Sequence, residues 1–148
     1  MIKAVCRKPV ALLATLALVG SVVAASGTAA AEVVKLESEL KGSNEVPPNS
    51  STGSGKAEAS YDTDTKVLTY VVTYAGLTGP VMGAHFHGPG EAGKNAGIAL
   101  PFKTVESPIK GSATLTDAQA ADLLAGKWYA NIHTAANPGG ELRGQMMK

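Results

Sequence analysis

From Lys66 to Ala75 the chain repeats with a period of two, Leu68, Tyr70, Val72 and Tyr74 on one side and Val67, Thr69, Val71 and Thr73 on the other. A β-branched and aromatic run of this kind suits a pleated strand. Further strands are expected around it. Val33 to Leu40 places Val34, Leu36, Ser38 and Leu40 on one side, and Gly55 to Tyr61 continues with small side chains. Val81–His87, Ile98–Phe102, Ile109–Leu115, Trp128–Thr134 and Glu141–Met147 complete the set. Turn chemistry separates them at Asp62–Thr65, Gly76–Pro80 and Asn137–Gly140, and longer loops run over Gly42–Ser54 and Gly88–Gly97. Short strands at this spacing predict a mostly β chain, an antiparallel Greek-key sandwich or barrel. One short helix interrupts it before the last two strands. Thr116 with Gln119 three residues on forms a capping box, and Gly126 closes the helix.

The first 31 of the 148 residues follow a different rule. Lys3, Arg7 and Lys8 precede an apolar and small-residue stretch from Val10 to Ala25, and Ala29-Ala30-Ala31 ends it. A basic start, an apolar middle and small residues at the end predict a secretory signal peptide over residues 1–31. A spanning helix wants about 20 strongly apolar residues, and this segment is short and diluted by Ala, Gly, Ser and Thr. The expected product is residues 32–148, exported to a periplasm or the extracellular medium, with no membrane span. Loss of three basic residues leaves ten against twelve acidic ones, a formal charge of −2 that gives nucleic acid no footing. The single cysteine, Cys6, leaves as well. Stability is then expected to rest on one core of about 115 residues.

The three histidines stand out in what remains. His85 and His87 are two apart on a predicted strand, so both rings leave the same face while Ala84 and Phe86 leave the other. His133, on a later strand, shares a face with Tyr129 and Asn131, opposite Trp128, Ala130 and Ile132. If the two strands pair or face each other, three imidazoles converge. Three nitrogens with an open position make a sensible site for copper or zinc. Ligating rings need a second group to fix them, and Asn131, Thr134 and Glu141 are close in sequence. Glu141 and Arg143 share a face of the last strand, either in a structural ion pair or in hydrogen bonds to loop backbone, or with the arginine steering a small anion toward a metal. The bland alternative has the histidines bonding loop carbonyls and holding strand ends together, in a purely structural or protein-interaction domain.

Other motifs carry less. The glycines at 88, 90, 93 and 97 are followed by no Lys-Ser or Lys-Thr and open no helix, so they cradle no phosphate. No nucleophile elbow and no Cys–His pair is present, and no enzymatic activity is assigned from the residues. Asn49-Ser50-Ser51 fits a glycosylation acceptor.

Several segments, in order, resemble one family. Leu40 to Pro48 (LKGSNEVPP) is similar to the opening of the CHRD domain, the module named after chordin. Ala84 to Gly90 (AHFHGPG) resembles its central histidine motif, and Leu115–Leu124, Trp128–Thr134 and Asn137–Gln145 its C-terminal block. The resemblance covers residues 32–148 and implies an extracellular β-rich domain. In chordin such domains accompany cysteine-rich modules that bind secreted growth factors. This chain has no such module, so its partner is expected to be an extracellular ligand or protein of another kind. By analogy, His85, His87, His133 and Arg143 also resemble in order the copper site of copper–zinc superoxide dismutases, which implies a redox copper protein. The chain has no bridging histidine for a second metal and lacks their structural disulfide.

Overall fold

The computed structural model describes residues 32–148. The expected signal peptide, residues 1–31, lies outside the described residues. Eight strands and one α-helix follow, with a single 3-10 turn at Gly42–Asn44 after the first strand: β1 (Val33–Lys41), β2 (Ser54–Asp62), β3 (Val67–Ala75), β4 (Val81–His87), β5 (Ile98–Pro101), β6 (Ile109–Thr114), α1 (Asp117–Leu124), β7 (Tyr129–Thr134) and β8 (Leu142–Gln145). Each lies where the sequence pattern puts it, within one or two residues.

All eight strands belong to one antiparallel sheet, ordered β5-β4-β7-β8-β1-β2-β3-β6. The expected sandwich or barrel is thus a single sheet, curled on itself. Tyr70 on β3 and Phe86 on β4 are five strand intervals apart, which is about 24 Å in a flat sheet. Their rings meet edge to face at 5.3 Å. Phe102 stacks on Tyr70 at 4.8 Å, and Trp128 lies 6.0 Å from Phe86. The curl is a half-barrel filled by aromatic side chains. Its two halves are joined where β1 meets β8, at Lys41 and Arg143, with a further bridge between Glu37 and Met147.

Period two does the sorting. Leu36, Leu40, Ala57, Ala59, Leu68, Tyr70 and Val72 face inward and are buried. The helix closes one part of the core with Ala120 and Leu123, while Ala118 and Ala121 stay exposed. Its capping box forms as expected, with Gln119 N–H donating to Thr116 Oγ1 and Thr116 N–H to Gln119 Oε1. Gly126, at φ +72°, supplies the left-handed residue that ends it. Among the described residues, no helix is long and apolar enough to cross a membrane.

Candidate metal centre

Strand β4 carries two of the three histidines and β7 the third, and the two strands pair antiparallel. Ala84 and Phe86 point into the core, so alternation sends His85 and His87 to the outer face. The pairing sets His87 opposite Tyr129, His85 opposite Asn131 and Gly83 opposite His133. His133 therefore stands beside a residue with no side chain, diagonal to His85, and the three rings gather. Their centroids are 5.1 Å (His85–His133), 5.5 Å (His85–His87) and 5.7 Å (His87–His133) apart.

One nitrogen from each ring can be chosen so that all three lie within 4.8 Å of one another. Three such points share a centre no more than about 2.8 Å from each (4.8 divided by √3). Nitrogen ligands sit about 2.0–2.1 Å from zinc, so the rings need close in by less than about 1 Å. No carboxylate or thiolate belongs to the group.

Hydrogen bonding decides which nitrogens are free. His87 Nδ1 lies 3.0 Å from the Ala96 carbonyl and His133 Nδ1 3.0 Å from the Pro138 carbonyl. A carbonyl only accepts, so each Nδ1 carries the proton and each Nε2 presents a lone pair. Among the described residues, the buried side-chain nitrogens and oxygens without a hydrogen-bond partner are His85 Nδ1, His87 Nε2 and His133 Nε2. A buried unpaired polar atom costs about 1–3 kcal/mol. The three histidines that carry these atoms gather at one spot, which suits an electron-pair acceptor. Burial pushes the pKa of His85 below the usual imidazole range, helped by the neighbouring His133 and His87. Burial also pushes His87 down, against the pull of the Ala96 hydrogen bond, with His133 and the Arg143 cation adding to the effect. Both rings are therefore held in the neutral form that binds metal.

The residues expected to orient the rings have other partners. Asn131 donates to Glu45 Oε1 and to the Leu142 carbonyl. Glu141 precedes β8 and makes no ion pair with Arg143; it accepts from Ser51, Thr78 and Thr134. Arg143, only 2% exposed, lies with its guanidinium carbon 3.6 Å from the centre of the Tyr129 ring. It donates to Asn95 Oδ1 and the Lys94 carbonyl. Asn49 is likewise engaged, its amide donating to the Gly140 and Glu141 carbonyls, which does not suit a sugar acceptor.

The sequence reading left out Gly83 and Glu45, gave Tyr129 no role beyond sharing a face with His133, and foresaw loop carbonyls on the histidines without pointing to Ala96 and Pro138. Period two already places Gly83 on the face of His85, and Tyr129 on that of His133. Nothing local signals the carbonyls. A methyl group added at Gly83 would sit 3.2 Å from His85 Cε1 and 3.3 Å from its Nε2, so the ring would have to shift. Gly83→Ala is expected to leave the fold intact by circular dichroism and to weaken metal binding about tenfold, as changes to ligand-orienting groups do. An unchanged affinity would show that the His85 ring adapts freely.

A family model described as CHRD domain matches residues 36–146. No curated protein and no solved structure matches the chain.

Proposed function

This chain belongs to the CHRD-domain family, and from that premise we propose that it is an exported binding module holding one copper or zinc ion through His85, His87 and His133. The observation that carries the reading is the set of three buried ring nitrogens without partners on neighbouring strands. A role confined to holding loops accounts for the two Nδ1 contacts, to Ala96 and Pro138. It leaves His85 and both Nε2 atoms unexplained. Held by His85, His87 and His133, a copper or zinc ion would supply Lewis acidity or, for copper, electron exchange. The protein lowers the pKa of His85 and His87 and fixes the rings of His87 and His133. Export rests on the basic and apolar character of residues 1–31.

Calorimetric titration of residues 32–148 with copper and with zinc tests the proposal. One ion per chain is expected in the wild type and none in a His85→Ala/His87→Ala variant. Affinity is expected to hold through neutral pH. It should fall as pH drops below the usual imidazole range, where protons begin to compete for His85 and His87, whose pKa values burial has lowered. A folded wild type that takes up neither metal, or an affinity indifferent to acid, would return the histidines to a scaffolding role.

A further inference from the structure

The loop from Gly88 to Gly97 covers the outer face beside the histidines. It is held at Gly90, which donates to the Lys127 carbonyl and accepts from Gln145 Nε2, and at the three consecutive residues Lys94, Asn95 and Ala96, where Asn95 also donates to the Val46 carbonyl. Arg143 donates to the Lys94 carbonyl and, at 2.9 Å, to Asn95 Oδ1. The Tyr129 hydroxyl accepts from Ala96 N–H at 3.0 Å and lies 3.4 Å from the Ala96 carbonyl. That same carbonyl accepts the hydrogen bond from His87 Nδ1–H. The side chains that hold the loop also stack in order. The His87 and Tyr129 rings are parallel within 3°, with centroids 5.0 Å apart, and the Arg143 guanidinium lies over Tyr129. Tyr129 and Arg143 are each 2% exposed beneath the loop.

A loop carbonyl orients a ring only as well as the loop itself is held, since unsupported loops fluctuate. We infer that Tyr129 and Arg143 are positioning residues for the metal centre, acting through Lys94, Asn95 and Ala96 to set the carbonyl that fixes the ring of His87. The inference rests on the metal reading for its purpose, and on hydrogen bonding alone for its geometry. Tyr129→Phe removes both contacts to Ala96 and keeps the stacked ring. Arg143→Lys keeps the charge and gives up the planar fork that reaches two loop residues at once.

The first readout needs no metal. Nitrogen-15 NMR of the metal-free wild type at neutral pH should show His87 as a single Nδ1–H tautomer. Tyr129→Phe should show a mixture, with the fold retained by circular dichroism. The second readout is copper and zinc titration, in which Tyr129→Phe and Arg143→Lys should each bind about 10–100-fold more weakly. His87 tautomers identical in wild type and Tyr129→Phe would overturn the inference, as would unchanged affinities in both variants. A wild type that binds no metal would defeat the proposed function instead, and the tautomer comparison would then decide the positioning claim by itself.

Discussion

Replacing Glu141 with alanine is expected to destabilise the fold by about 3–5 kcal/mol, although the residue lies outside every strand. Its carboxylate is fully buried. Oε1 accepts from Ser51 Oγ at 2.6 Å and Thr78 N–H at 2.8 Å, and Oε2 from Thr78 Oγ1 at 2.9 Å and Thr134 Oγ1 at 2.6 Å. Burial works against the charged form. The hydrogen bonds from Ser51, Thr134 and Thr78 outweigh it and hold the pKa at about 2. Alanine leaves these donors without their acceptor and opens a cavity where three segments meet.

The same network sets a pH dependence. The ordinary pKa of a glutamate, 4.5, applies to the unfolded chain. A depressed folded value therefore contributes stability that is fully present above about pH 4.5 and lost as pH falls toward 2. At about 1.4 kcal/mol per unit, the drop from 4.5 to about 2 corresponds to about 3 kcal/mol. Glu141→Gln keeps the shape without the charge, and should lose about 2–3 kcal/mol at pH 7. Urea unfolding of wild type and Glu141→Gln at pH 7, 4 and 3 checks this. The two proteins should converge as pH falls. A gap of constant size would mean that the charge contributes nothing.

Glu141 also shows where a sequence stops informing. Parity on the last strand put it with Arg143, and closeness in sequence made it a neighbour of His133. Its donors include Ser51 and Thr78, 90 and 63 positions away, and no local pattern encodes such a meeting. The carbonyls of Ala96 and Pro138 were hidden for the same reason, since any residue supplies a carbonyl and only loop conformation aims it. The histidines were legible because strand parity is a local property. His85 and His87 had to leave one face once Ala84 and Phe86 took the core. Their meeting with His133 needed one further fact, the pairing of β4 with β7. The strand content was legible in the same way. The joining of all strands into one sheet was not, because it depends on a short contact between the first and last strands.

That joining makes Phe86 the position where fold and site are most tightly coupled. Phe86 is fully buried between His85 and His87 in sequence, on the opposite face of β4. Its ring meets Tyr70 from the far half of the sheet at 5.3 Å and Phe102 at 4.9 Å. It thus helps to close the half-barrel as well as to anchor the strand carrying two metal donors. Phe86→Ala is expected to cost about 3–5 kcal/mol, from lost transfer energy and the cavity left behind. Phe86→Leu fills most of that space and should cost less, which keeps enough folded protein for titration. In the leucine variant β4 is free to shift toward the vacated volume, moving His85 and His87 away from His133 on the partner strand. Metal affinity is then expected to fall along with stability, although no donor has changed. Urea unfolding measures the first effect and copper titration of Phe86→Leu the second. Loss of stability with full affinity would mean that the pairing of β4 with β7 holds the three rings together without help from the core.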